Sequence, residues 1–151
     1  MRKGIQLMRQ QGRFSFVQLA EAYLAQAEAA CGRLEDALAS IAAGLVDVED
    51  TGQNTFASTL RCMEGEILSM REPSNPAPAE QAFQSAIEIA REQKTRSFEL
   101  RAALGLTRLY QRTCRPGYAR RVLAPALEGL APSLDFLDIA EAQSLLSILN
   151  E

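Results

Sequence analysis

Apolar residues recur every three or four positions through most of this chain. The sharpest run is Leu34, Ala37, Leu38, Ile41, Ala42, Leu45 and Val48. That spacing makes one stripe on an α-helix, with Glu35, Asp36, Asp47, Glu49 and Asp50 off the stripe on a solvated face and Gly52 as the stop. The same period predicts a short helical piece over 3–11 and a helix over about 15–31, with Ser15 as N-cap and Gly32 just past its end. A further helix over about 55–70 carries Phe56, Leu60, Met63, Ile67 and Met70 on one face. Pro73, Pro76 and Pro78 then break the chain, with Asn75 as the cap of a helix over about 77–93. Helices over about 97–114 and 116–130 follow, the second with Pro125 inside it as a kink. Asp138 with Glu141 reads as a capping box for a last helix carrying Ala142, Leu145, Leu146 and Leu149. No segment alternates as a strand does, so the expected class is all-α.

The helices repeat. Ala37, Ile41, Gly44 and Leu45 place small and bulky residues in the same order as Ala79, Phe83, Ala86 and Ile87, and as Ala119, Leu123, Ala126 and Leu127. Copies two and three begin 42 and 40 residues after their predecessors, judged from Ala37, Ala79 and Ala119. Self-similarity at such a period is the mark of a solenoid. Small residues let one helix lie close on its partner, and neither buries its stripe alone. The domain therefore spans 1–151, with repeats over about 15–52, 55–94 and 96–131 and a capping helix over about 138–150.

The pattern resembles the tetratricopeptide repeat. Leu106, Thr107, Tyr110, Ala119, Leu123 and Ala126 stand at that motif's signature places. Gly65 and Leu68 match in the second copy, where the proline linker adds two residues between the helices. In the first copy Ala25 fits, while Glu28 stands where an aromatic is usual, and the period is longer than the usual one of about 34 residues. The resemblance implies a right-handed superhelix of antiparallel helix pairs, about three of them plus the cap. It also implies a groove lined by the first helix of each pair. The runs FVQLAEAYLAQAEAACGRLEDALASIAAGL, TLRCMEGEILSM, PAEQAFQSAIEIAREQKTRSFELRAALGLTRLY and VLAPALEGL are similar to the C-terminal repeat region of bacterial multidomain signalling proteins. In that family such a tail follows a cyclase-like or DNA-binding module and a STAND-type ATPase. The stretch from Leu134 through Asp138 to Leu149 looks like the family's natural ending. What this implies is a regulatory scaffold for a protein or peptide, an upstream domain of the same parent chain included. The alternative is a sensor domain whose small ligand sits in the groove and controls the attached module.

Composition narrows the chemistry. The 151 residues contain no histidine, which removes Ser-His-Asp and Cys-His arrangements and the commonest metal ligand. Cys31, Cys62 and Cys114 are far apart and form no CxxC pair, so no metal site or disulfide framework is expected, and reduced thiols fit the cytoplasm. No Gly-rich phosphate loop is present, so neither a cofactor nor catalysis is expected. Cys114 between Arg112 and Arg115 is a thiol with cationic neighbours, but its place at a helix end opposes a thiolate. The acids Asp47, Glu49 and Asp50, with Glu64 and Glu66, are spaced to scatter around their helices rather than converge. A net charge of −3 argues against general nucleic-acid binding, and no apolar stretch is long enough for a membrane span.

Two features are candidate contact surfaces. Residues 76–130 hold nine Lys or Arg against five acids, and Arg101, Arg108, Arg112 and Arg115 fall on one narrow stripe. The stripe is either a clamp for a partner's carboxylates or phosphate, or the solvated back of its helix. Near the N-terminus, Ile5, Leu7, Met8, Phe14 and Phe16 form a candidate exposed repeat end through which two copies would pair.

Overall fold

The computed structural model describes residues 1–130 and 137–150. Among them are eight helices and no strand: α1 (Arg2–Gln10), α2 (Phe14–Ala30), α3 (Leu34–Thr51), α4 (Ala57–Arg71), α5 (Ala77–Glu92), α6 (Arg96–Arg112), α7 (Pro116–Leu127) and α8 (Leu137–Leu149). No described helix is long and apolar enough to cross a membrane. Leu134, part of the expected family-like ending, lies outside the described residues.

Each helix packs on its chain neighbours. The even-numbered helices α2, α4, α6 and α8 also pack on one another in series, whereas α3, α5 and α7 meet only even-numbered partners. The residues expected to fill the joints do so. Ala37, Ile41, Ala79, Phe83, Ala86, Ile87, Ala119, Leu123 and Ala126 are all buried. The small ones permit close approach, and Phe83 fills the space between α4 and α6. A Cβ on Gly65 would lie 2.9 Å from Phe83 ring atoms, and one on Gly105 would lie closer still.

One turn recurs four times. After α1, α2, α5 and α6 the chain closes with paired backbone bonds. Examples are Arg33 N–H to the Glu28 carbonyl (2.9 Å) and Gly32 N–H to the Ala29 carbonyl (2.9 Å). This is the Schellman closure, which needs a left-handed residue. Gly12 and Gly32 supply it at φ 71° and 75°; Lys94 and Cys114 adopt it at 55° and 56°. A side chain in that region is strained where glycine is not. Lys94→Gly and Cys114→Gly are each expected to stabilise the fold by about 0.5–1 kcal/mol. Gly32→Ala is expected to cost about 1 kcal/mol. Urea midpoints at constant slope check the set.

Several expected caps are replaced by tertiary contacts. Ser15 lies inside α2, which starts at Phe14 after Arg13, and its hydroxyl bonds the Gln53 side chain at 3.3 Å. Asn75 does not cap α5; Pro76 precedes that helix, and the Asn75 amide donates to Glu72 instead. Asp138 is inside the first turn of α8, and its carboxylate reaches across to Arg101. α7 ends at Leu127, two residues past Pro125, short of the expected 130. The missing Pro125 N–H removes a helical bond there. Asp47 is not on a solvated face: it is buried and bound by Arg9.

Candidate functional site

Three sets of positions recur at the same spacing along the even-numbered helices: Gln26, Glu66 and Arg108; Tyr23, Met63 and Gly105; and Ala30, Met70 and Arg112. Steps of 40 and 42 residues separate the members of each set. These positions lie together along the series α2, α4, α6 and α8. Between α2 and α4 is a cavity of about 230 Å³ walled by Ala29, Ala30, Ile67 and Met70. Between α4 and α6 a second, of about 440 Å³, reaches Phe83, Gly105 and Arg112. A third, of about 330 Å³, runs from Gln26 over Cys62 to Arg101 and Asp138. Glu66 lines all three, so they form one groove around it.

The groove's chemistry follows from its walls. Cys62 is its buried floor, and burial, helped by the Glu66 charge, pushes the thiol up to about 12, so it stays protonated. Burial against the walls also raises the Glu66 carboxyl above its ordinary range, while Arg108 and Arg101 pull it the other way. Met63 and Met70 flank Glu66 and supply adaptable apolar contact. Among the described residues no group of three or more His, Cys, Asp or Glu is placed to hold a metal ion.

The four stripe arginines do not act together. Arg101 pairs with Asp138 at 3.4 Å. Arg108 grips both oxygens of Glu141, from 2.6 to 2.9 Å. Both pairs tie α8 to α6 beside the groove, with all four side chains still open to solvent. Arg112 is exposed at the groove's far end. Arg115 lies beyond α6 in the turn, where it bonds Glu80 and covers the Tyr110 ring at 4.5 Å. Burial alone would raise the Glu80 carboxyl, but hydrogen bonds from Arg115 and Tyr110 outweigh it and hold it below its usual range. That arrangement is structural. Cys114 is exposed in the same turn.

The N-terminal residues divide as well. Ile5 is buried with Val17 and Leu24, and Met8 packs against them. Phe14 is half-buried, whereas Leu7 and Phe16 are 54% and 63% exposed. The expected single apolar patch therefore loses three of its five members, because α1 folds onto α2 rather than standing open. Beneath α1, Arg9 bonds Asp47 at 2.8 Å and Glu21 at 3.0 Å, and Arg2 bonds Glu28 at 2.7 Å. Glu28 also accepts from Ser40 at 2.8 Å. Glu28 is thus matched by a cation and a hydroxyl.

Two features escaped the sequence reading. Glu66 passed as one of several scattered acids, since nothing local marks it as the groove's centre. The second feature is an aromatic set. Phe16, Phe56 and Phe98 stand at the starts of α2, α4 and α6, 40 and 42 residues apart, and the Phe56 and Phe98 rings meet at a tilt with centres 6.5 Å apart. Their spacing was a visible signal.

Comparison with known proteins returns no match: no family model, no curated protein and no solved structure matches this chain.

Proposed function

We propose that this chain is a non-catalytic, tetratricopeptide-like interaction module, a right-handed superhelix whose groove takes an extended segment of a protein partner. The observation that carries this reading is the continuous groove along α2, α4 and α6, closed at one end by α8 and walled by methionines and small residues. Concave surfaces built by stacked first helices are how solenoids present binding faces. The sealed Cys62 thiol and the absence of histidine support a binding rather than a catalytic role. Three free, separated thiols fit work in the cytoplasm. The similarity of the quoted runs to bacterial signalling proteins supports a regulatory parent chain, with its upstream ATPase or cyclase-like part among the partners.

The small-ligand alternative draws on the same groove, but its walls are open to solvent and spread over three helices, which suits a chain better than an enclosed molecule. Panning a random linear peptide library on the full chain tests the reading. Recovered peptides are expected to lose at least about tenfold in affinity to Ala30→Trp, which fills the α2–α4 cavity from an exposed position. Peptides that bind Ala30→Trp as well as the parent chain would place recognition elsewhere and end the groove reading.

A further inference from the structure

We propose that the groove is built for a basic side chain: a lysine or arginine of the bound segment seats on Glu66, with its apolar neighbours against Met63 and Met70. This rests on the groove reading above and names the chemistry of its occupant.

Few charges face the groove, and most of them are paired within the fold. α2 contributes Gln26, Ala29 and Ala30, none of them charged. From α4 comes Glu66 alone. α6 contributes Arg101, Arg108 and Arg112, and α8 contributes Asp138 and Glu141. Two of the arginines are matched within the fold: Arg101 by Asp138 and Arg108 by Glu141. Among the described residues Glu66 has no hydrogen-bond or ion-pair partner, although it lines every cavity of the groove. The valley between α2 and α4 therefore carries one charge with no bonded partner, and it is negative, with Arg108 and Arg101 acting on it from α6.

An acidic occupant would have to break the α8 pairs or reach Arg112 at the far end, and it would meet Glu66 on the way. A basic one meets the unpaired carboxylate directly. The Glu66 carboxylate stands among Met63, Ile67 and Met70, so an arriving cation can bond it while apolar neighbours rest on those walls. Lysine and arginine stems are apolar below their charged heads, which matches thioether walls around a carboxylate.

The same peptide library separates the claims. The expected result is a recovered set enriched in Lys or Arg next to apolar residues. Its members should weaken about tenfold or more on Glu66→Gln, an isosteric change at an exposed position. They should bind less well as salt rises, and hardly respond to Arg112→Gln. Peptides that need the open groove, as judged by Ala30→Trp, yet lack a basic residue or ignore Glu66→Gln would overturn the cation seat and leave the groove standing. A recovered set that is acidic and lost on Arg112→Gln would overturn it in favour of the opposite charge. Peptides indifferent to Ala30→Trp would overturn both readings.

Discussion

Gly105→Ala is expected to lower stability by about 2 kcal/mol, although alanine is the better helix former. The new methyl group would stand well inside contact distance of the Phe83 ring. The ring has nowhere to go, because Gly65 of α4 lies against its other side, where even an added Cβ would come within 2.9 Å of it. Phe83 is 2% exposed and belongs to the large cluster that joins α4, α5, α6, α7 and α8. Relief thus requires the stacked helices α4 and α6 to move apart, and repacking would spread through that cluster. Helix propensity returns at most about 1 kcal/mol, which the overlap exceeds. Gly4→Ala is the control. Nothing lies within 4 Å of a Cβ there, so α1 should gain by about 0.5–1 kcal/mol. Urea unfolding of both variants, with Gly105→Ala combined with Phe83→Leu as the rescue, checks the cause. If the smaller side chain restores nothing, crowding at the ring is not the source of the loss.

Arg9→Met is expected to cost about 2–3 kcal/mol at neutral pH. Its guanidinium is the cation within bonding reach of both Asp47 and Glu21, whose side chains are 12% and 6% exposed. Removing it leaves two carboxylates shielded and close together. The upper end of the range for a buried pair does not apply, because Arg9 itself keeps a third of its surface in water. Exposed Arg108→Met should cost less than about 1 kcal/mol by comparison. The pH dependence gives a second readout. Burial already raises the Glu21 carboxyl above its ordinary value, with Arg9 pulling it down. A carboxyl with a raised folded pKa favours the fold below its unfolded pKa, and that benefit is lost as pH rises through the folded value. Without Arg9 the raise grows, so the deficit of the variant should shrink as pH falls toward about 4 and Glu21 takes up its proton. Thermal midpoints across that range decide it; a deficit independent of pH would assign the loss to packing of the arginine stem instead.

Helix content and the buried joint positions were legible because they depend on periods of three and four and on small residues at fixed offsets. Gly32 and Gly52 were legible as stops for the same local reason, since both take positive φ. The Lys94 and Cys114 turns were not, because the residues give no sign of a left-handed backbone. Closure of each helix on its successor imposes it on them. The arginine stripe shows the limit of a single helix viewed alone. A wheel places Arg101 and Arg108 opposite the core, but it holds no information about α8, which arrives on that side with Asp138 and Glu141. Ile5 and Met8 misled for a similar reason: exposure was inferred from position near the chain start, whereas α1 packs them onto Val17 and Leu24.

By itself, then, the sequence determined an all-helical chain with a repeated small-and-bulky code and no histidine chemistry, because each of those follows from spacing or composition along the chain. Only the tertiary structure decided which charges meet. Glu66 stands alone at the centre of a groove, Arg101 and Arg108 are neutralised by α8, and Arg9 sits between Glu21 and Asp47. Those outcomes depend on distances between residues that are remote in sequence, where a few ångströms separate an ion pair from an unpaired charge.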